Sequence, residues 1–78
     1  MSKPILVLSI VRDRGPIGLN GISAAAGLTM SAVNRIVATQ VKAYGYLTAN
    51  MSSAGHILGQ IQITDKGLTR LELGREST

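Results

Sequence analysis

The spacing around Gly27 restricts the fold of this chain more than any other feature. Gly27 closes an alanine-rich stretch, residues 20–26, and is followed at once by Leu28 and Thr29. Alanine is the strongest helix former, and a glycine just past a helix can take the left-handed conformation that ends it. Thr29 suits the N-cap of a new helix, where a hydroxyl accepts from backbone N–H groups of the first turn. The chain is therefore expected to form a short helix, a tight turn and a second helix. Ser23, four residues before Gly27, is small enough to let the helices approach. Val33 and Ile36, six and nine residues after it, pin the second helix to the first, with Ile22 and Leu28 as further core. Asn20 is read as the N-cap of the short helix. The pair Asn20-Gly21 also suits a tight hairpin turn, but the run Ser23-Ala24-Ala25-Ala26 favours a helix.

The second helix is expected over Met30 to Tyr44, with Gly45 as its stop. Val33, Ile36, Val37, Val41 and Tyr44 recur at helical spacing and define its inner face. Met30 falls on the same side. Ser31, Asn34, Arg35, Ala38, Thr39 and Lys42 define the opposite, polar face.

Ile5 to Arg14, opened by Pro4, reads as a first helix that is apolar almost all round. Its β-branched run would also suit a buried strand, but the charged end and Gly15-Pro16 resemble a helix stop. Ile17-Gly18-Leu19 is expected to be short and extended. After the second helix, Tyr46 to Ala49 and Ile57 to Ile63 read as two strands, the latter alternating with a period of two. The loop from Met51 to His56 joins them into a hairpin. Thr64 caps a last helix, Asp65 to Leu73, and Gly74 to Thr78 are expected to fray. A helix, a short strand, two helices joined by a tight turn, a hairpin and a final helix make an α+β domain. The layout is a winged helix-turn-helix: a three-helix core, a β-hairpin wing and a short C-terminal helix. It fills residues 1–78 as one domain, with the helix-turn-helix at about 20–44 and the wing at about 46–63.

Eight basic residues face four acidic ones, for a net charge of +4. Asp13 and Asp65 are consecutive carboxylates, and the stretch between them holds Arg14, Arg35 and Lys42. An acid-free stretch does not repel phosphate, so nucleic acid is the expected partner. No cysteine is present, which excludes disulfides and thiolate metal sites and fits a reducing cytoplasm. The apolar run Ile5 to Val11 is too short to span a bilayer and lacks a cleavage site after it, so neither a membrane anchor nor a signal peptide is expected. Asn50-Met51-Ser52 matches a glycosylation sequon, which has no meaning without secretion. The glycine-rich segment Gly15 to Gly21 lacks the Gly-Lys-Ser/Thr ending of a phosphate loop. With one histidine and no paired carboxylates, no metal site, cofactor or catalytic set is expected.

Residues Gly27 to Leu47, GLTMSAVNRIVATQVKAYGYL, resemble the DNA-binding segment of the MarR and IclR groups of bacterial transcriptional regulators. There a Gly-Leu turn leads into a Ser/Thr-rich recognition helix that carries an arginine. Ile63-Thr64-Asp65-Lys66-Gly67 resembles the Leu-Thr-x-Lys-Gly that follows the wing in MarR-like proteins. The resemblance implies a regulator that binds double-stranded DNA.

In that reading the second helix enters the major groove. Thr29, Ser31, Asn34 and Arg35 are the candidates for base or phosphate contact, since Asn pairs with adenine and Arg with guanine. Thr39 and Lys42 lie further along the same face, and His56 sits in the wing loop. Arg14, Lys66 and Arg70 are additional phosphate candidates. A competing reading is a protein-interaction or accessory module of the same fold, favoured by a wing loop whose only basic candidate is His56. An RNA-binding domain is disfavoured because only Tyr44 and Tyr46 are available for base stacking. An apolar content of 45% in so short a chain predicts a buried partner surface. Helical spacing places Leu6, Val7 and Ile10 on a second face of the first helix. With Leu68, Leu71 and Leu73, that face is expected to form a homodimer through the first and last helices.

Overall fold

The computed structural model describes residues 2–76, and of residues 74–76 the backbone alone. The elements run α1 (Lys3–Arg14), α2 (Leu19–Ala26), α3 (Met30–Thr39), a π-helical turn (Gln40–Tyr44), β1 (Leu47–Met51), β2 (Ile57–Ile63) and α4 (Asp65–Glu76). Among the described residues this is an α+β arrangement of four α-helices and one antiparallel hairpin.

Helix α1 starts where the Ser2 hydroxyl accepts from the Ile5 N–H and Pro4 occupies the first turn. Arg12 and Arg14 lie in its last turn, where cations favour the helix dipole. Val7, Leu8, Ile10 and Val11 are all buried, because α1 is packed by α2, α3, β2 and α4 on several sides at once. This corrects the expected division of its faces. Val7 and Ile10, read as part of an outward face, and Leu71, expected in the pairing surface of the last helix, are 0%, 9% and 4% exposed and belong to the intrachain core.

Ile17 forms an extended bridge with Ile61, its N–H and C=O both bonded at 3.1 and 2.7 Å. α2 then begins at Leu19 with Gly18 as its cap residue, so Asn20 lies inside the first turn and is not the cap. The expected turn follows. Gly27 has φ +68° and donates its N–H to the Ser23 carbonyl, while the Ser23 hydroxyl donates to the Leu28 carbonyl at 2.5 Å. Thr29 caps α3 by accepting from the Ala32 N–H at 3.2 Å.

Val33 and Val37 are fully buried, as the apolar spacing requires. Beyond Thr39 the helix widens into the π-helical turn, ended by Gly45 at φ +69°, whose N–H bonds to the Gln40 carbonyl. A turn that takes one extra residue rotates everything after it about the helix axis. Gln40, seven residues after Val33 on the same helical face, is in the core at 2% exposure and donates to the Pro4 carbonyl at 2.9 Å. Tyr44, expected on the inner face, is instead 50% exposed and stacks on Tyr46, with ring centroids 5.2 Å apart.

β1 and β2 pair antiparallel from Leu47↔Ile63 to Met51↔Ile57, and the register shifts between Thr48 and Asn50. β1 begins one residue later and ends two residues later than the sequence suggested, and β2 has the expected limits. Gly59, at φ +68°, falls where the ladder is irregular. The Thr64 hydroxyl accepts from the Gly67 N–H at 3.1 Å and donates to the Gly45 carbonyl at 2.6 Å, joining the start of α4 to the end of the π-helical turn. α4 continues to Glu76, so residues 74–76 are helical rather than frayed, and 77–78 lie outside the described residues. One interior glycine costs a helix about 1 kcal/mol and does not by itself end it. Among the described residues no helix is long and apolar enough to cross a membrane.

Gly67 explains the small residue of the Thr-Asp-Lys-Gly segment. A Cβ there would collide with the Tyr46 carbonyl oxygen and stand 2.7 Å from the Ile63 side chain. Gly67→Ala must push α4 away from that backbone. It should lower stability by roughly 1–3 kcal/mol, read as a fall in the thermal midpoint. An unchanged midpoint would mean that α4 does not sit this close.

Candidate nucleic-acid interface

The N-terminal part of α3 is open to solvent. Thr29, Ser31, Arg35 and Thr39 are exposed, and Asn34 is half-buried. The Thr39 hydroxyl donates to the Arg35 carbonyl at 3.0 Å, so it is already used along the helix. Lys42 is exposed but lies within the π-helical turn, which shifts it round the axis relative to Arg35. His56 is exposed at the end of the hairpin loop.

Asn34 connects these two parts. Its side-chain carbonyl accepts from the Ile57 N–H at 3.0 Å, and its amide NH2 donates to the Gly55 carbonyl at 3.4 Å. The residue read as an adenine-pairing candidate thus has both ends of its amide committed to the hairpin. The loop is closed by its own bonds as well. Ser52 N–H donates to the His56 carbonyl at 2.8 Å, and the Ser52 hydroxyl accepts from the His56 N–H at 3.1 Å. The hairpin is therefore fastened beside α3 at a fixed angle.

Ser31, Asn34 and His56, three of the expected site residues, line one open cleft of about 330 Å³ together with Leu19 and Met30. Met30 is the residue that spacing misplaced. It is 42% exposed and not in the core. Helical Cβ bonds tilt toward the N-terminus, so a side chain at the first helical position overhangs the end of the helix instead of joining its inner stripe. The sequence signal was present in the cap itself, since Thr29 fixes Met30 as that first position.

The local electrostatics are basic. Asp13 is paired to Arg12 at 2.9 Å, and this hydrogen bond holds the Arg12 guanidinium above its ordinary pKa. From Arg14 to Thr64 the chain carries no carboxylate, and Arg35 and Lys42 stand exposed within that stretch. Among the described residues no group of three or more His, Cys, Asp or Glu side chains could hold a metal ion. Comparison of the chain with protein-family models, with curated proteins and with solved structures gives no match.

Removing the Asn34 amide leaves the Ile57 N–H and the Gly55 carbonyl without their partner. Asn34→Ala should cost about 1–3 kcal/mol and speed amide hydrogen exchange at Ile57 more than at Val33. Equal exchange rates before and after the change would show that the hairpin is held by other contacts.

Proposed function

We propose that this protein is a small winged helix-turn-helix regulator that binds double-stranded DNA, with α3 in the major groove. One observation carries the reading: the exposed N-terminal face of α3, with Arg35 standing out from it, lies beside a hairpin fastened through Asn34, in a stretch free of carboxylates. The resemblance of Gly27 to Leu47 to MarR and IclR recognition segments supports the same reading.

Arg35 is the principal contact, to a guanine edge or a phosphate. Ser31 and the N-terminal N–H groups of α3 face the backbone, where the helix dipole favours phosphate. Thr29 caps the helix and keeps its hydroxyl proton for a phosphate oxygen. Lys42 adds a phosphate contact, and His56 lies toward the flanking groove. Asn34 acts here by positioning the hairpin rather than by pairing with a base. The protein would work in the cytoplasm and needs no cofactor.

So few cations give one domain little affinity, because neutralised phosphates supply most of it. Pairing two copies doubles the contacts. Leu68 and Leu73 on α4 are 37% and 56% exposed, and Leu6 on α1 is half-buried, so α1 and α4 offer the apolar surface for that pairing. A competing reading has the domain bind a protein partner. It is favoured by Leu58, 49% exposed on a hairpin that carries no Lys or Arg.

A gel shift with fragmented genomic DNA at several salt concentrations separates these readings. DNA binding should weaken steeply with salt, and Arg35→Ala should cost roughly 1–3 kcal/mol of affinity. No shift at low salt would leave the protein-partner reading in place. Sedimentation equilibrium near micromolar concentration tests the pairing. The expected mass is that of a dimer, returned to a monomer by Leu68→Glu with the thermal midpoint unchanged. A monomer mass for the unaltered chain would remove the dimer.

A further inference from the structure

Met30 is a large apolar side chain left in water at the start of α3, amid polar residues. The cleft it lines has two apolar members, Met30 and Leu19, each the first residue of its helix, and three polar ones, Ser31, Asn34 and His56. Asn34 has spent its acceptor and one donor on the hairpin, so its remaining amide proton, the Ser31 hydroxyl and the His56 ring are what the cleft offers for hydrogen bonding. The cleft thus combines an apolar contact with a sparse set of polar groups, at the end of the helix that would reach base edges.

Resting on the DNA-binding reading above, we propose that Met30, backed by Leu19, recognises the C5-methyl group of a pyrimidine in the major groove. That methyl is the one apolar feature a base pair presents there. The site would therefore prefer a 5-methylpyrimidine, thymine or 5-methylcytosine, at the position Met30 reaches. A methionine suits this role because its flexible, polarizable thioether adapts to a small apolar target. Purines and unmethylated cytosine present no such group, so the cleft supplies a preference that Arg35 alone does not.

The test uses the full chain and a duplex selected by it from a randomised pool. Binding is followed by fluorescence anisotropy at fixed salt. Each thymine is replaced in turn by deoxyuridine, which removes only the methyl, and each cytosine by 5-methyl-deoxycytidine, which adds it. At one or two positions the unaltered protein should lose roughly three- to fivefold in affinity with deoxyuridine, or gain as much with 5-methyl-deoxycytidine. The first result assigns thymine as the source of the methyl, and the second assigns 5-methylcytosine. Met30→Gln keeps length and helix propensity and removes the apolar end. It should abolish the difference at that position while the salt dependence of binding and the thermal midpoint stay unchanged.

A duplex that binds but shows the same methyl dependence with Met30→Gln as without it overturns the assignment and leaves DNA binding standing. The same holds for a duplex indifferent to every methyl. If no duplex is bound at all, the functional reading fails and the methyl contact fails with it.

Discussion

Helix α1 is the element on which the others are assembled. Its near-continuous apolar run gives α2, α3, β2 and α4 a shared surface, and Val7, Leu8 and Val11 are almost completely removed from water in the process. A helix that is hydrophobic all round is stable only when buried on more than one side. In a chain of 78 residues, with little interior to spare, that requirement leaves few arrangements for the remaining helices and the hairpin.

Apolar burial is non-directional, so it brings the elements together without fixing their angles. Side-chain bonds to distant backbone supply the direction. Gln40 ties the end of α3 to the start of α1 through the Pro4 carbonyl. Ser23 closes the turn between α2 and α3 on the Leu28 carbonyl, and Thr64 joins α4 to Gly45. Asn34 fastens the hairpin to α3 at Gly55 and Ile57. Each is a polar group at a junction between elements, where leaving it unpaired would cost more than the bond itself contributes.

For the proposed DNA-binding role, this construction would matter through rigidity. A helix offered to a duplex must be held at a set angle to whatever touches the neighbouring backbone, and Asn34 provides that link between α3 and the loop carrying His56. Sparse positive charge would make such a surface dependent on geometry more than on attraction. Among the described residues, the large exposed apolar side chains are Met30 at the start of α3, Tyr44 in the π-helical turn, Leu58 on β2, and Leu68 and Leu73 on α4, so the unburied hydrophobic surface is not confined to one element.

Local chemistry was legible in the residues themselves. The left-handed Gly27, the caps at Thr29 and Thr64, the limits of β2 and the buried pair Val33 and Val37 all follow from one residue's conformational preference or from a short period. Features set by contacts across the chain were not. Asn34 looked like a free polar residue because its partners lie 21 and 23 positions away. The widening at Gln40 breaks the helical period, and no local preference announces that its amide would find the Pro4 carbonyl. The faces of α1 could not be divided from spacing, since an all-round apolar helix has no periodic signal and only its neighbours decide which residues are covered. The sequence by itself determined the turn at Gly27, the start of α3 at Thr29 and the limits of β2, because those steps depend on a few adjacent residues. Tertiary structure alone decided that Asn34 holds the hairpin and that Val7 and Ile10 are covered, because both depend on how separate elements meet in space.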